Sequence, residues 1–270
     1  MDWTVVLVGT AGLLVGSFLS VCILRVPMGR SVIRPRSRCP QCESLIRAWD
    51  NIPVLSFLLL RGKCRDCGGC ISWVYPVVEL STAALFLLLW HQFGLTPPFF
   101  INLVFFCLLL VLAFIDLFHR ILPDVLNLSG LLLGLLVSPF QFPGFFHWDT
   151  SDLAAAPIWI NYPLSLLGIL VGGGLLWLVS AIYHKATGVE GMGFGDVKML
   201  AMMGAFLGWR LALLSIFLGS AMGALVGSVF ILILGKERRY PLPFGTFLAL
   251  GAVMAALWGN LLLQWYLGGL

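Results

Sequence analysis

Long apolar segments separated by short polar loops dominate the chain. A helix needs about 20 mostly apolar residues to cross a bilayer. Eight segments approach or reach that length, at residues 3–24, 75–93, 99–118, 124–140, 162–183, 196–208, 210–234 and 242–267. Only Gly208-Trp209-Arg210 separates the sixth segment from the seventh. This pattern predicts an all-α polytopic membrane protein with about eight transmembrane helices.

One polar segment, residues 25–74, is much longer than the other loops. We therefore predict three parts: a first transmembrane helix at 1–24, a small insert at 25–74 and a transmembrane domain at 75–270.

Composition excludes a soluble protein. Of 270 residues, 60% are hydrophobic and 10% are charged, whereas soluble domains carry roughly a quarter charged residues. The first apolar run, Trp3 to Leu24, lacks the basic region and the small-residue cleavage site of a signal peptide. We therefore expect it to be kept as a membrane span.

The basic residues predict the orientation, because lysine and arginine favour cytoplasmic loops. Nine of the 16 lie between Arg25 and Arg65, while the loops at 94–98 and 141–161 contain none. We expect both termini to face outward and the insert and basic loops to face the cytoplasm. The net charge of +4 is then mainly a topology signal. Nucleic-acid binding is not expected, because the basic loop has few aromatic residues to stack on bases.

Four cysteines in the insert have the spacing of a zinc ribbon. They form two C-x2-C pairs, Cys39 with Cys42 and Cys64 with Cys67. Two tight turns of this kind can complete a tetrahedral shell around Zn2+, and the metal would help to fold an insert too small for a large core. Two disulfides or four free thiols are the alternatives, although a reducing cytoplasm disfavours disulfides. Four cysteine ligands leave no open position, which favours a structural zinc.

Carboxylates in membrane spans are costly and are therefore candidates for function. Asp116 closes the third predicted span and Asp196 opens the sixth, both at the predicted cytoplasmic edge. Two carboxylates close together share a proton, so that one can act as a base and the other as an acid. Such a pair can hydrolyse an amide as an aspartic protease does. Gly193 and Gly195 would let a substrate backbone approach Asp196.

Other interpretations of these acids remain open at this point. Asp196, Asp124 and Glu79 lie near helix starts, where an acid can simply stabilise the helix N-terminus. Lys198 can extend its charged end towards the membrane surface. The aspartates could also serve as proton or ion relays in a transporter, or the chain could be a zinc-stabilised scaffold without chemistry.

The motifs together resemble those of the type IV prepilin peptidases, which are bifunctional leader peptidases and N-methyltransferases of bacterial inner membranes. The resemblance covers nearly the whole chain and includes the four cysteines, Tyr75-Pro-Val-Val-Glu79, Ile115-Asp116, Leu122-Pro-Asp124, Glu190-Gly-Met-Gly-Phe-Gly-Asp196-Val-Lys198 and Pro241-Leu-Pro-Phe-Gly245.

This resemblance implies that Asp116 and Asp196 are the catalytic aspartates. Asp196 then belongs to the Gly-x-Gly-Asp signature of intramembrane proteases. The implied substrates are prepilins or pseudopilins, cleaved after a glycine at the cytoplasmic membrane edge. Asp124, Glu79 and Lys198 would support the site rather than perform the chemistry.

The resemblance also implies that the new amino terminus is methylated with S-adenosylmethionine. No Rossmann-like glycine fingerprint locates the binding site of this cofactor, and the insert is the only sizeable soluble segment that could serve as its platform. Thr246 stands where the family pattern leads us to expect a proline. We expect no catalytic consequence from this departure.

Overall fold

The computed structural model describes residues 3–141, 161–188, 192–232 and 242–267. Within these ranges the protein is helical and contains no strand, only two isolated β-bridges. Its α-helices are α1 (Trp3–Arg25), α2 (Leu55–Leu59), α3 (Val74–Phe93), α4 (Pro97–His119), α5 (Asp124–Val137), α6 (Asn161–Thr187), α7 (Phe194–Leu232) and α8 (Phe244–Leu267). The prediction of an all-α membrane protein is confirmed.

The predicted count of eight spans is not confirmed. Six helices in the described ranges are long and apolar enough to cross a membrane: α1, α3, α4, α6, α7 and α8. The fourth predicted span contains only α5 and a 3₁₀ turn, and is a shorter apolar helix at Asp124–Phe140.

The sixth and seventh predicted spans form the single segment α7, which is broken at Gly208. Its 39 residues would extend about 58 Å as one straight helix, far more than the roughly 30 Å of a bilayer core. Gly208 has φ 73° and ψ 173°, a conformation outside the helical range that glycine adopts without a steric penalty. The predicted division at this position therefore corresponds to a real break in the backbone.

The chain divides into two compact units, unit 1 (Met1–Val111) and unit 2 (Leu112–Leu270). In unit 1, α1 packs closely against α3. A β-carbon at Gly16 of α1 would lie 2.6 Å from the Cα of Glu79 on α3, so only glycine permits this approach. Small residues serve membrane helices in this way, because packing takes the place of the hydrophobic effect in lipid.

In unit 2, α7 packs against α5, α6 and α8. The segment from Met199 to Leu207 is buried throughout, and Gly204 lies directly against Gly168 of α6. Long apolar side chains elsewhere in the protein point outward, including Leu170 and Phe217. Such a surface is suited to lipid rather than water, and the protein is a multi-pass membrane protein.

Candidate active site and cysteine cluster

Asp116 lies in the last turn of α4, where its carboxylate is held by the start of α8. The side chain is 6% exposed. Its Oδ2 accepts a hydrogen bond from the Thr246 backbone N–H at 2.8 Å. The single hydrogen of the Thr246 hydroxyl has two acceptors within reach, the Ala113 carbonyl at 2.9 Å and Asp116 Oδ2 at 3.2 Å. Because Thr246 is in the first turn of α8, its N–H has no partner within the helix and is available to an outside acceptor.

Asp196 lies in the first turn of α7 and is 8% exposed. Its backbone N–H donates to the Gly193 carbonyl at 3.1 Å. Gly193 is exposed, and a β-carbon there would contact Asp196 Oδ2 at 3.5 Å. A side chain at this position would therefore lie against the carboxylate. The access of a substrate through Gly193 stays a prediction.

The structure brings the two aspartates together around Leu122. A β-carbon at Gly195 would lie 2.9 Å from Leu122 Cβ, and one at Gly245 would lie 3.0 Å from Leu122 Cδ1 and 3.1 Å from Asp116 Oδ2. The Asp116 carboxylate is close enough to Asp196 for the two to interact electrostatically. Two buried carboxylates thus lie in one neighbourhood of unit 2, although 80 positions separate them in the sequence.

Asp124 and Lys198 form an ion pair beside this site. Lys198 Nζ donates to both carboxylate oxygens of Asp124 at 2.7 Å, and it also lies 5.0 Å from the centre of the Phe194 ring. The pair links the start of α5 to the first turn of α7. Because Lys198 is two residues after Asp196, this ion pair ties the segment that carries Asp196 to α5.

Glu79 belongs to unit 1. Its Oε2 accepts the Val54 backbone N–H at 2.7 Å, and the Ser17 hydroxyl also donates to its carboxylate. These contacts join α1 and α3 to the insert. Glu79 was predicted to support the aspartates, but the hydrogen bonds described for it are all within unit 1.

Sequence reasoning missed two polar contributors to the site. Thr246 donates its backbone N–H to Asp116, which a proline could not do. This contact leads us to predict a catalytic effect at the position where the sequence led us to expect none. Asn127 of α5 is fully buried, with Nδ2 3.5 Å from the Gly195 carbonyl and no described hydrogen-bond partner for Oδ1. Asn127 lies shortly after the motif Leu122-Pro-Asp124, and Thr246 directly follows the motif Pro241-Leu-Pro-Phe-Gly245. The motifs therefore point to these two segments, but they do not show that Thr246 contacts Asp116 or that Asn127 contacts Gly195.

The four predicted metal ligands lie on two turns with the same backbone pattern. In the first turn Cys39 N–H donates to Ser44 O at 3.0 Å, and in the second Cys64 N–H donates to Gly69 O at 2.8 Å. The residue after the second cysteine has a positive φ in both turns, 58° at Glu43 and 70° at Gly68. Antiparallel bridges, Arg38 with Leu45 and Lys63 with Cys70, close the two turns.

The four sulfur atoms lie within 4.8 Å of one another. Cys39 Sγ and Cys67 Sγ are 3.8 Å apart. A zinc ion with four thiolate ligands at about 2.3 Å places its sulfurs about 3.8 Å apart, so shifts of an ångström or so at most would bring all four sulfurs to this spacing. All seven cysteines of the chain are in the described ranges, and none forms a disulfide.

The ionisation of the thiols also suits a metal site. Hydrogen bonds with Ser44 lower the pKa of Cys42 to about 6. For Cys67, the Gly69 N–H favours the thiolate, but the thiols around it, Cys42 foremost, together with desolvation raise its pKa to about 12. Ionisation of one thiol, such as that of Cys42, therefore makes ionisation of its neighbour Cys67 less favourable. A divalent cation would relieve this competition.

Two family models match the chain and together cover both clusters. The model described as the Bacterial Peptidase A24 N-terminal domain matches residues 10–93, which include the four cysteines. The model described as the Type IV leader peptidase family matches residues 103–228, which include both aspartates. No solved structure matches the chain.

Curated relatives match along almost the full length. A protein of Stutzerimonas stutzeri named prepilin leader peptidase/N-methyltransferase is 39% identical over 95% of this chain and 91% of its own length. Proteins of the same name from Pseudomonas putida and Pseudomonas aeruginosa are 36% and 38% identical, over 92% and 95% of this chain and 88% and 91% of their own lengths. The chain belongs to the type IV leader peptidase family.

Proposed function

We propose that the protein is a membrane aspartic endopeptidase that removes the short basic leader of type IV prepilins or pseudopilins, and that it N-methylates the new amino terminus. The observation that carries the peptidase proposal is the meeting of two buried carboxylates, Asp116 and Asp196, at helix ends in the region matched by the leader peptidase model. Neither the family models nor the relatives' names support a transporter.

The hydrogen bonds suggest different roles for the two aspartates. Asp116 accepts the Thr246 backbone N–H, and a donor of this kind stabilises a negative charge. Asp116 is therefore the better general base, and Asp196 is the better holder of the shared proton. Asp116 would take a proton from water as the water oxygen attacks the scissile carbonyl, and Asp196 would protonate the departing amide nitrogen.

Several residues are proposed to support this site without touching the reacting atoms. The Asp124–Lys198 pair would hold the start of α7, and Gly195 would allow its packing against Leu122. Gly193 would leave the Asp196 carboxylate accessible. Glu79 would act within unit 1, where its carboxylate ties Val54 of the insert to Ser17 of α1.

We also propose the location and metal content that the sequence indicated. The protein would lie in the bacterial inner membrane with its basic loops and insert in the cytoplasm. The parts 1–24, 25–74 and 75–270 would serve as first span, zinc-binding insert and peptidase domain. Cys39, Cys42, Cys64 and Cys67 would bind a structural Zn2+.

The methyl donor would be S-adenosylmethionine. When bound, it supplies an electrophilic methyl group on a sulfonium. The amine released by cleavage would be held against it, and would lose a proton as the methyl is accepted.

The purified protein in detergent, mixed with a prepilin, tests both activities. We expect mass spectrometry to find the mature pilin without its leader, and isotope-labelled S-adenosylmethionine to label its amino terminus. No cleavage by folded, zinc-containing protein would contradict the peptidase proposal. Cleavage without label would restrict the protein to peptidase activity.

A further inference from the structure

A groove of about 290 Å³ lies in unit 1 between α1 and the insert. Leu14, Phe18 and Arg25 of α1 line one side, and Ile33 and Arg36 of the insert line the other. The lining contains no residue of the proposed peptidase site and none of the four cysteines. The proposed peptidase chemistry and the zinc site therefore do not account for this groove.

The charged residues of the groove are two arginines, Arg25 and Arg36, and its lining includes no acid. Arg25 donates through Nη1 to the Ser31 carbonyl at 3.0 Å, which uses one of the five N–H donors of its guanidinium. Arg36 is exposed, and neither arginine belongs to an ion pair among the described residues. Guanidinium groups bind phosphates with paired hydrogen bonds, so this part of the groove suits a phosphate.

The position of Arg25 in α1 places these charges at the edge of the bilayer. The 23 residues of α1 extend about 34 Å, which slightly exceeds the roughly 30 Å thickness of a bilayer core. Arg25 is the last residue of this helix. It therefore lies at the level of the lipid headgroups when α1 spans the membrane.

The face of α1 that leads into the groove is apolar. Leu14 and Phe18 lie eleven and seven residues before Arg25 and are 59% and 50% exposed. At 1.5 Å per residue they are about 16 Å and 10 Å from Arg25 along the helix. These distances fall within or close to the roughly 15 Å that one leaflet contributes to the bilayer core, so acyl chains would pass both side chains.

We propose that this groove binds one anionic phospholipid, with its phosphate at Arg25 and Arg36 and its acyl chains along Phe18 and Leu14. The volume is near the lower end of the range for small-molecule sites, about 300–1,000 Å³. The groove therefore holds the headgroup, while the chains follow α1 into the bilayer. Because one arginine belongs to α1 and the other to the insert, the bound lipid ties the insert to the first span.

The lining favours an anionic phospholipid over a zwitterionic one. A zwitterionic headgroup carries a cationic amine beside its phosphate, and the two arginines repel this amine without an acid in the lining to pair with it. Basic pockets at the membrane edge bind anionic headgroups for the same reason. A free anion would also suit the arginines, but it would leave the apolar part of the groove uncovered, including Ile33, which is 82% exposed.

Native mass spectrometry of the full-length protein, released from neutral detergent micelles, tests the proposal. The probes are phosphatidylglycerol and phosphatidylcholine with the same acyl chains, and titration with each gives the dissociation constant of the first bound lipid. A charge-assisted hydrogen bond changes binding by about tenfold or more. We therefore expect the wild-type protein to bind phosphatidylglycerol at least tenfold more tightly than phosphatidylcholine.

Arg36→Ala should lower the affinity for phosphatidylglycerol by about tenfold or more and so reduce the preference between the two lipids. The matched control is Arg30→Ala, which removes an exposed arginine of the same segment that does not line the groove. It should bind both lipids as the wild type does. Zinc content and the thermal unfolding midpoint of each variant report whether it is folded.

Equal affinities of the wild-type protein for the two lipids would overturn the proposal. An unchanged preference in folded Arg36→Ala, or the same loss in Arg30→Ala, would show that the groove is not the site. Inorganic phosphate in large excess should not displace phosphatidylglycerol, and displacement would make the groove a site for small anions instead. These measurements require neither cleavage nor methylation, so their failure would be distinct from a failure of the proposed function.

Discussion

Two glycines of α6 offer a matched test of the helix contact that supports Asp196. A β-carbon at Gly168 would overlap the Gly204 carbonyl oxygen of α7 and would lie 2.9 Å from its carbonyl carbon, whereas a β-carbon at Gly174 would have nothing within 4 Å. Both positions are helical. Gly168→Ala and Gly174→Ala therefore make the same chemical change in one helix, but only the first forces α6 away from α7.

The two substitutions should change stability in opposite directions. Replacing glycine by alanine in a helix interior contributes roughly 0.5–1 kcal/mol of stability, and nothing opposes this gain at Gly174. At Gly168 the overlap is with backbone rather than with a flexible side chain, and overpacking typically costs about 1–3 kcal/mol. Because the gain in helix propensity is common to both, we expect Gly168→Ala to be less stable than Gly174→Ala by about 1–3 kcal/mol.

Chemical denaturation in one detergent, followed by helix content, measures this difference, and prepilin cleavage by each variant gives a second readout. Because α7 carries Asp196, Gly168→Ala should also cleave more slowly than Gly174→Ala under conditions in which both are folded. Equal stabilities and equal cleavage rates would refute the close contact between α6 and α7 and the support it gives to the site.

Three further predictions concern the residues around the two clusters. Thr246→Pro removes the N–H donated to Asp116 and should lower the kcat of cleavage by roughly tenfold to a hundredfold, because a hydrogen bond to a charged group is worth about 1.5–3 kcal/mol. Thr246→Ser keeps this N–H and should retain wild-type kcat, and equal values for both variants would contradict the role of this contact. Cys67→Ser should reduce bound zinc below one ion per chain and lower the thermal unfolding midpoint, whereas full zinc content by elemental analysis would exclude this ligand. Lys198→Ala should raise the susceptibility to proteolysis near Asp124, and an unchanged digestion pattern would show that the ion pair does not hold this segment.

Short-range spacing predicted the cysteine cluster well. The pairs Cys39 with Cys42 and Cys64 with Cys67 each come from one local turn, so their spacing alone constrains the geometry. The break at Gly208 was also visible, because a glycine followed by a charge interrupts an apolar run. The number of spans could not be predicted in the same way. The segment of α5 is apolar enough for a span but its helix is too short, and apolarity alone does not distinguish one broken helix, as in α7, from two separate helices.

Contacts between residues far apart in the sequence could not be predicted from the hydrophobic pattern or the motifs. Thr246 and Asp116 are 130 positions apart, and a hydrogen bond between a backbone N–H and a carboxylate depends on where α8 begins relative to α4. Glu79 was singled out as an acid at the edge of a span, but its contacts with Ser17 and Val54 depend on how the insert folds back on α1 and α3. Only the folded chain brings these groups together.

Prepilin cleavage by Asp116→Asn and Asp196→Asn tests the central claim most directly. Asparagine keeps the shape of each side chain but can neither accept the water proton as a base nor carry the shared proton as an acid. The control is Asp66→Asn, an exposed acid of the insert, which should cleave at the wild-type rate. We expect each active-site variant to be folded and to leave the prepilin uncleaved, and substantial cleavage by either variant would contradict a catalytic pair of aspartates.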